Sequence, residues 1–209
     1  MIPRYQRILF WSLSIGIFLM SAFLLHGCEQ AQSRLAAPAD ATPIAAPTTS
    51  GTEDITFYLA NDADASITPT TESVSLPQSA PTVRARTLLE QLLATYAAPN
   101  SPHPLQSGPA VDDVFLLADP NPAPGSQPGQ LAVVNFRGAF VNNHPSGIQV
   151  EALTLASIIG TLHAALPQIT TIRFLVDGQP HDTLAGHADL LRTYPATDTA
   201  TKPTPPTNN

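Results

Sequence analysis

Hydrophobic positions change their rhythm several times along this 209-residue chain, and each change predicts an element. Asp54-Ile-Thr-Phe-Tyr-Leu59 is a short β-rich run bounded by the turn formers Asn61 and Asp62, and it predicts a first strand. Behind Pro81 and Thr82, the residues Val83, Leu88, Leu89, Leu92, Leu93 and Tyr96 recur at three-and-four spacing, with Arg84, Arg86, Glu90 and Gln91 on the other side. That is an amphipathic helix. Residues 97–110 hold four prolines and predict a loop. Val114 to Leu117 and Leu131 to Phe136 predict two strands, and the proline-rich stretch from Asp119 to Gly129 can continue neither, which makes a hairpin with a long, solvated tip. Ser146 and Gln149 have capping-box spacing, and Ile148, Leu155, Ile158, Ile159, Leu162 and Leu166 supply the apolar face of a second helix, closed by Pro167. Thr171 to Val176 predicts the last strong strand. After it, Asp177-Gly178 is a reverse-turn signal that folds the chain back as a shorter pairing through Thr183-Leu184. The order β, α, β, β, α, β predicts an α+β domain in which two helices cover one face of a mixed sheet.

The ends follow different rules. Arg4 and Arg7 precede an uncharged apolar run from Ile8 to Leu25, the layout of an export signal. At 18 residues the run is also just long enough to span a hydrocarbon layer of about 30 Å, so an uncleaved N-terminal helix is the alternative. Leu25-His26-Gly27-Cys28 resembles a bacterial lipobox, which implies lipidation of Cys28 and cleavage before it. Cys28 is the only cysteine, so no internal disulfide competes for it. The chain therefore divides into a signal or anchor (1–28), a disordered linker rich in Ala, Pro and Thr (29–52), a folded domain (53–194) and a disordered tail (195–209).

Composition narrows the function. With 9 Lys+Arg against 16 Asp+Glu, the net charge is -7, and the chain cannot assemble the basic face that nucleic acid requires. There is no phosphate-binding glycine loop, no dinucleotide fingerprint and no Gly-x-Ser-x-Gly elbow. His181, Asp182 and His187 are the strongest candidate constellation, since imidazoles and a carboxylate suit zinc and a metal-dependent hydrolase. Their spacing matches no standard ligand interval, and a turn opened by Gly186 and capped by His187 explains them better. Asn142, Asn143, His144 and Ser146 gather polar groups at a predicted helix start, where an anion could sit or a plain cap could form; the cap is the simpler reading. Asp62, Asp64, Asp112 and Asp113 lack the glycine and distal glutamate of a calcium loop and read as solvated turns. No catalytic residue, metal ligand or cofactor site is assigned.

The segments Val134-Asn-Phe-Arg-Gly-Ala-Phe-Val-Asn-Asn-His-Pro-Ser-Gly147, Ser157-Ile-Ile-Gly-Thr-Leu162, Ile172-Arg-Phe-Leu-Val-Asp-Gly178 and Thr183-Leu-Ala-Gly-His187 resemble the GerMN domain, a family first named for a spore-germination and sporulation protein. With the first strand and first helix, the resemblance covers nearly all of 53–191. It implies a single α+β module in an exported or anchored envelope protein, one that meets an envelope protein or wall polymer and carries no catalytic residues. The contrasting expectation is an envelope hydrolase using His181 and His187.

Overall fold

In the computed structural model, residues 51–120 and 129–201 are described, and all of them fall in one compact unit. Cys28, the apolar run 8–25, most of the linker and the hairpin tip at 121–128 lie outside the described residues.

The first strand, β1 (Gly51–Asn61), does not stand alone, because an unexpected strand β2 (Ser66–Leu76) pairs with it antiparallel from Gly51↔Leu76 to Asn61↔Ser66. β2 escapes a hydrophobicity reading because only Ser66, Ile67 and Leu76 are buried along it. Its β-branched threonines suit a half-solvated strand nonetheless. The two strands form a separate sheet. Asp64 Oδ1 fixes their connection by accepting from the Ser66 N–H at 3.1 Å and its hydroxyl at 2.6 Å.

Helix α1 (Pro81–Tyr96) starts with a proline, whose missing N–H costs nothing at that position, and buries Ala85, Leu88, Leu89, Leu92, Leu93 and Tyr96. Val83, expected on the core face, is 47% exposed; Ala85 takes the buried place in that first turn. β3 (Val111–Ala118) and β4 (Gln130–Phe136) form the expected antiparallel hairpin. Asp112 and Asp113 lie within β3 rather than in a turn, and Asp112 pairs with Arg137 at 2.9 Å. A short helix α2 (Gly138–Asn143), not expected, leads to the long α3 (Ile148–Ala165).

β5 (Ile169–Val176) lies parallel to β4, and β6 (Tyr194–Pro195) pairs antiparallel with Thr171 and Ile172 on the far side of β5. The mixed sheet therefore runs β3-β4-β5-β6. Asp177 and Gly178 do turn the chain, both at positive φ, and Val176 bridges Gln179. The strand that returns to β5 is Tyr194-Pro195, however, and not Thr183-Leu184, which sits in a compact loop with Thr183 bridged to Asp189. The domain is α+β with its helices on the inner face of the mixed sheet, but the β1–β2 hairpin adds a second sheet to the simple βαββαβ order.

Residues 195–201 correct the expected tail. Thr199 Oγ1 donates to Ala156 O at 2.8 Å, and the Thr201 N–H donates to Ile67 O at 3.0 Å, so this segment closes over α3 and reaches β2.

Candidate functional site

Helix α3 organises the polar chemistry. Glu151, Thr154, Ser157 and Thr161 recur at three-and-four spacing along it, and all four are fully buried. A polar stripe of this kind in a helix is tolerated only where each group finds a partner. Every one does, and each reaches at least one partner in a segment distant in sequence.

At the helix start, the expected capping box does not form. Gly147 is the N-cap, and no side chain caps it; Ser146 is not used, and Gln149 instead donates to Asp62 O at 2.7 Å. Glu151 reaches back in their place. Its Oε1 accepts from the Gly147 N–H at 3.0 Å and the His187 ring at 2.8 Å, while Oε2 accepts the N–H groups of Ala185 (3.0 Å), His187 (2.8 Å) and Ala188 (2.8 Å). The loop 185–188 is thus wrapped around one carboxylate, with Gly186 supplying the φ of +118° that the wrap requires. Burial alone would raise the carboxyl pKa. The donors from Ala188, Gly147, His187 and Ala185 outweigh it and hold Glu151 at about 2.

One turn on, Thr154 Oγ1 lies 2.8 Å from His103 Nε2 and 2.9 Å from His144 Nε2, and it donates to Val150 O at 3.0 Å. His103 is fully buried and its Nδ1 meets Asp62 Oδ1 at 2.6 Å. His144 Nδ1 faces Pro145 O at 2.8 Å, and burial lowers the His144 pKa. Farther along, Ser157 donates to Tyr58 O and contacts the Tyr96 hydroxyl, the Ala60 N–H donates to Tyr96 Oη at 2.9 Å, and the Tyr58 N–H donates to Thr161 Oγ1 at 2.9 Å.

This arrangement separates the residues that the sequence brought together. His187 is bound to Glu151, whereas His181 Nδ1 contacts Thr183 O at 2.7 Å and Asp182 serves through its backbone oxygen, which accepts from the Leu190 N–H at 3.0 Å. Among the described residues, no cluster of three or more His, Cys, Asp or Glu side chains could hold a metal ion. Asn143 and His144 do share a cavity of about 340 Å³ with Arg137 and Phe140, but Asn143 donates to Ala139 O and the helix start itself is closed by Glu151. His103 was hidden in the sequence, inside a proline-rich loop that reads as solvent-facing, and Asp62, read there as part of a solvated turn, is instead its partner. Glu151 had a faint signal, an acid in the first turn of a helix where N–H groups point outward.

A larger groove of about 760 Å³ runs beside α3. Ile148, Leu155 and Ile159 form one wall, and His187, Arg192 and Tyr194 stand opposite, with the Arg192 guanidinium 4.2 Å above the Tyr194 ring. Ile148, expected in the core, is 75% exposed at its lip. The groove offers contact surface and two charged side chains, His187 aside, in Asp189 and Arg192.

A family model, Germane, described as sporulation and spore germination, matches residues 56–182. No curated protein matches the chain. Among solved structures, the tandem GerMN domains of the sporulation protein GerM from Bacillus subtilis are similar at 17% identity and a TM-score of 0.39, over 71% of this chain and 45% of that one. The first GerMN domain of GerM from Bacillus subtilis is similar at 15% identity and a TM-score of 0.36, over 70% of this chain and 96% of that one. The chain thus spans less than half the length of the tandem structure.

Proposed function

Because the chain belongs to the Germane family of sporulation and spore germination, we propose that it is a non-catalytic interaction and assembly module, held at the bacterial cell envelope by lipid on Cys28 or by an N-terminal helix. Its partner is an envelope protein or a wall polymer. The observation that supports this reading is the state of Glu151. The one deeply buried carboxylate beside the candidate histidines already accepts five hydrogen bonds, from four backbone N–H groups and one imidazole, so it cannot act as base or metal ligand without releasing the loop 185–188. His187 spends its Nδ1 on the same carboxylate, and His181 is turned to its own loop. The hydrolase built on these two histidines has no comparable support.

Two experiments test the proposal. The purified chain is expected to turn over neither ester nor wall-derived substrates; hydrolysis that disappears in the folded double variant His181→Ala, His187→Ala would replace the module with an enzyme. Metabolic labelling with a fatty acid is expected to mark the wild type and miss Cys28→Ser, and equal labelling of both would remove the lipid anchor from the proposal.

A further inference from the structure

The mixed sheet has two faces, and among the described residues the hydrophobic core lies against one of them. Val114, Ala132, Val134, Phe136, Ile172, Phe174 and Val176 point inward and belong to the hydrophobic core. The alternate positions are Asp113, Phe115 and Leu117 on β3, Leu131, Val133 and Asn135 on β4, and Thr171, Arg173 and Leu175 on β5, so five apolar residues lie among four polar ones. None of these belongs to the hydrophobic cluster under the helices, but they are not equally open: Val133 in the central strand is buried at 8% exposure, and Leu131, Arg173 and Leu175 are half-buried. Strand register places Phe115 beside Val133 and Val133 beside Arg173, with Leu117 beside Leu131 in the next row, so they form one continuous patch. Phe115 is 48% and Leu117 52% exposed. A solvated sheet face ordinarily alternates to polar residues, and a contiguous apolar one marks an interaction surface.

We propose that this outer face docks an amphipathic helix of a partner protein that carries a carboxylate, placed against Arg173. The inference rests on reading the domain as an interaction module, and it does not depend on the anchor. Size argues for a helix. Three strands about 4.8 Å apart, each contributing up to three outward residues, make a surface of roughly 15 by 20 Å, or about 300 Å². A stable pair of identical copies needs about 800 Å² from each partner, whereas a single helix about 10 Å wide covers 20 Å of length with about 13 residues. Charge argues for the carboxylate. Arg173 sits in the middle row, partly buried, with no hydrogen-bond partner for its buried Nε and no ion pair among the described residues. An apolar cover would strip water from the guanidinium without replacing it, while a carboxylate supplies two matched acceptors. A lipid surface fits less well, since the chain carries a net charge of -7 and Asp113 stands exposed at the edge of the patch.

The test uses the full chain in detergent and three labelled helical peptides of about 14 residues. They share a leucine face and differ only in a central Glu, Gln or Lys. Fluorescence anisotropy is expected to show the Glu peptide binding about tenfold more tightly than the Lys peptide. Leu117→Asp should weaken all three, and Arg173→Glu should reverse the order in favour of Lys, with circular dichroism confirming that both variants fold. Three peptides of equal affinity, or binding indifferent to Leu117→Asp, overturn the proposal. So does a dimer in sedimentation that Leu117→Asp dissolves, which assigns the face to a second copy. Hydrogen-exchange protection of 111–118 on phosphatidylglycerol vesicles, lost in Leu117→Asp, assigns it to lipid and also overturns it. Each of these failures leaves the non-catalytic reading standing, because that reading is decided by turnover.

Discussion

Gly160 shows how little room single atoms have on α3. Replacing a helical glycine by alanine ordinarily stabilises a helix by about 1 kcal/mol. Here a Cβ would lie 2.5 Å from Cδ1 of Tyr58 and 2.3 Å from Oγ1 of Thr199, and the tyrosine ring atoms cannot move without shifting β1. Gly160→Ala is therefore expected to lose about 1–3 kcal/mol, read as a lower urea midpoint; a gain in stability would show that the contact is loose. Glu151 makes a second prediction at the same scale, with its sign fixed by the direction of its shift. The folded carboxyl titrates near 2 against an ordinary 4.5, so its contribution is present above about pH 4.5 and drains away as pH falls toward 2. The difference corresponds to something on the order of 3 kcal/mol. His144 acts in the same direction, because burial favours its neutral form and protonation below about pH 6.5 opposes the fold. Urea midpoints measured from pH 7 to pH 3 should fall throughout and most steeply at the acid end. Glu151→Gln should lower the pH 7 value and flatten that acid limb, since its amide NH₂ cannot accept the N–H groups of the loop. A wild-type midpoint that stays constant to pH 3 would contradict the assignment.

Among the elements, those with strong periodicity were legible in the sequence: α1, α3, the β3–β4 hairpin and β5 fall where apolar spacing places them. Elements stabilised from outside were not. β2 carries threonine and serine outward, and its pairing depends on β1 rather than on its own burial. β6 is two residues long and is defined only by lying against β5. The buried stripe on α3 is the most instructive miss, because Glu, Thr, Ser and Thr read as a solvent face until their partners are known. Composition misled at the C-terminal end for the same reason, since Pro, Ala and Thr look disordered locally while Thr199 and Thr201 find acceptors far away in sequence. Truncation after Pro195 puts this element to a direct test. It removes the Thr199 and Thr201 bonds and uncovers part of the α3 wall, and at roughly 1 kcal/mol per bond it should lower the urea midpoint measurably while leaving the circular dichroism spectrum native in shape. An unchanged midpoint would return residues 195–201 to the status of a loose tail.

At the scale of the whole molecule, α3 is where the beginning and end of the domain meet. Tyr58 bonds to Thr161, 103 residues later, and Thr199 bonds to Ala156, 43 residues earlier. A two-stranded hairpin by itself is at best marginally stable in water. The β1–β2 pair therefore emerges from the ribosome long before the helix that stabilises it, and at about 5–20 residues per second the wait is roughly 5–20 s. Nascent chains arrested before Thr161 is released should be cut readily by protease within 51–76, and protection there should appear only once the last segment is free; early protection would mean that the hairpin stands unaided. The β1–β2 hairpin consequently depends on residues made much later in synthesis. A chain of this design stays open through most of its synthesis and closes late, which is the condition a polypeptide needs if it is to be threaded through a narrow pore before it folds.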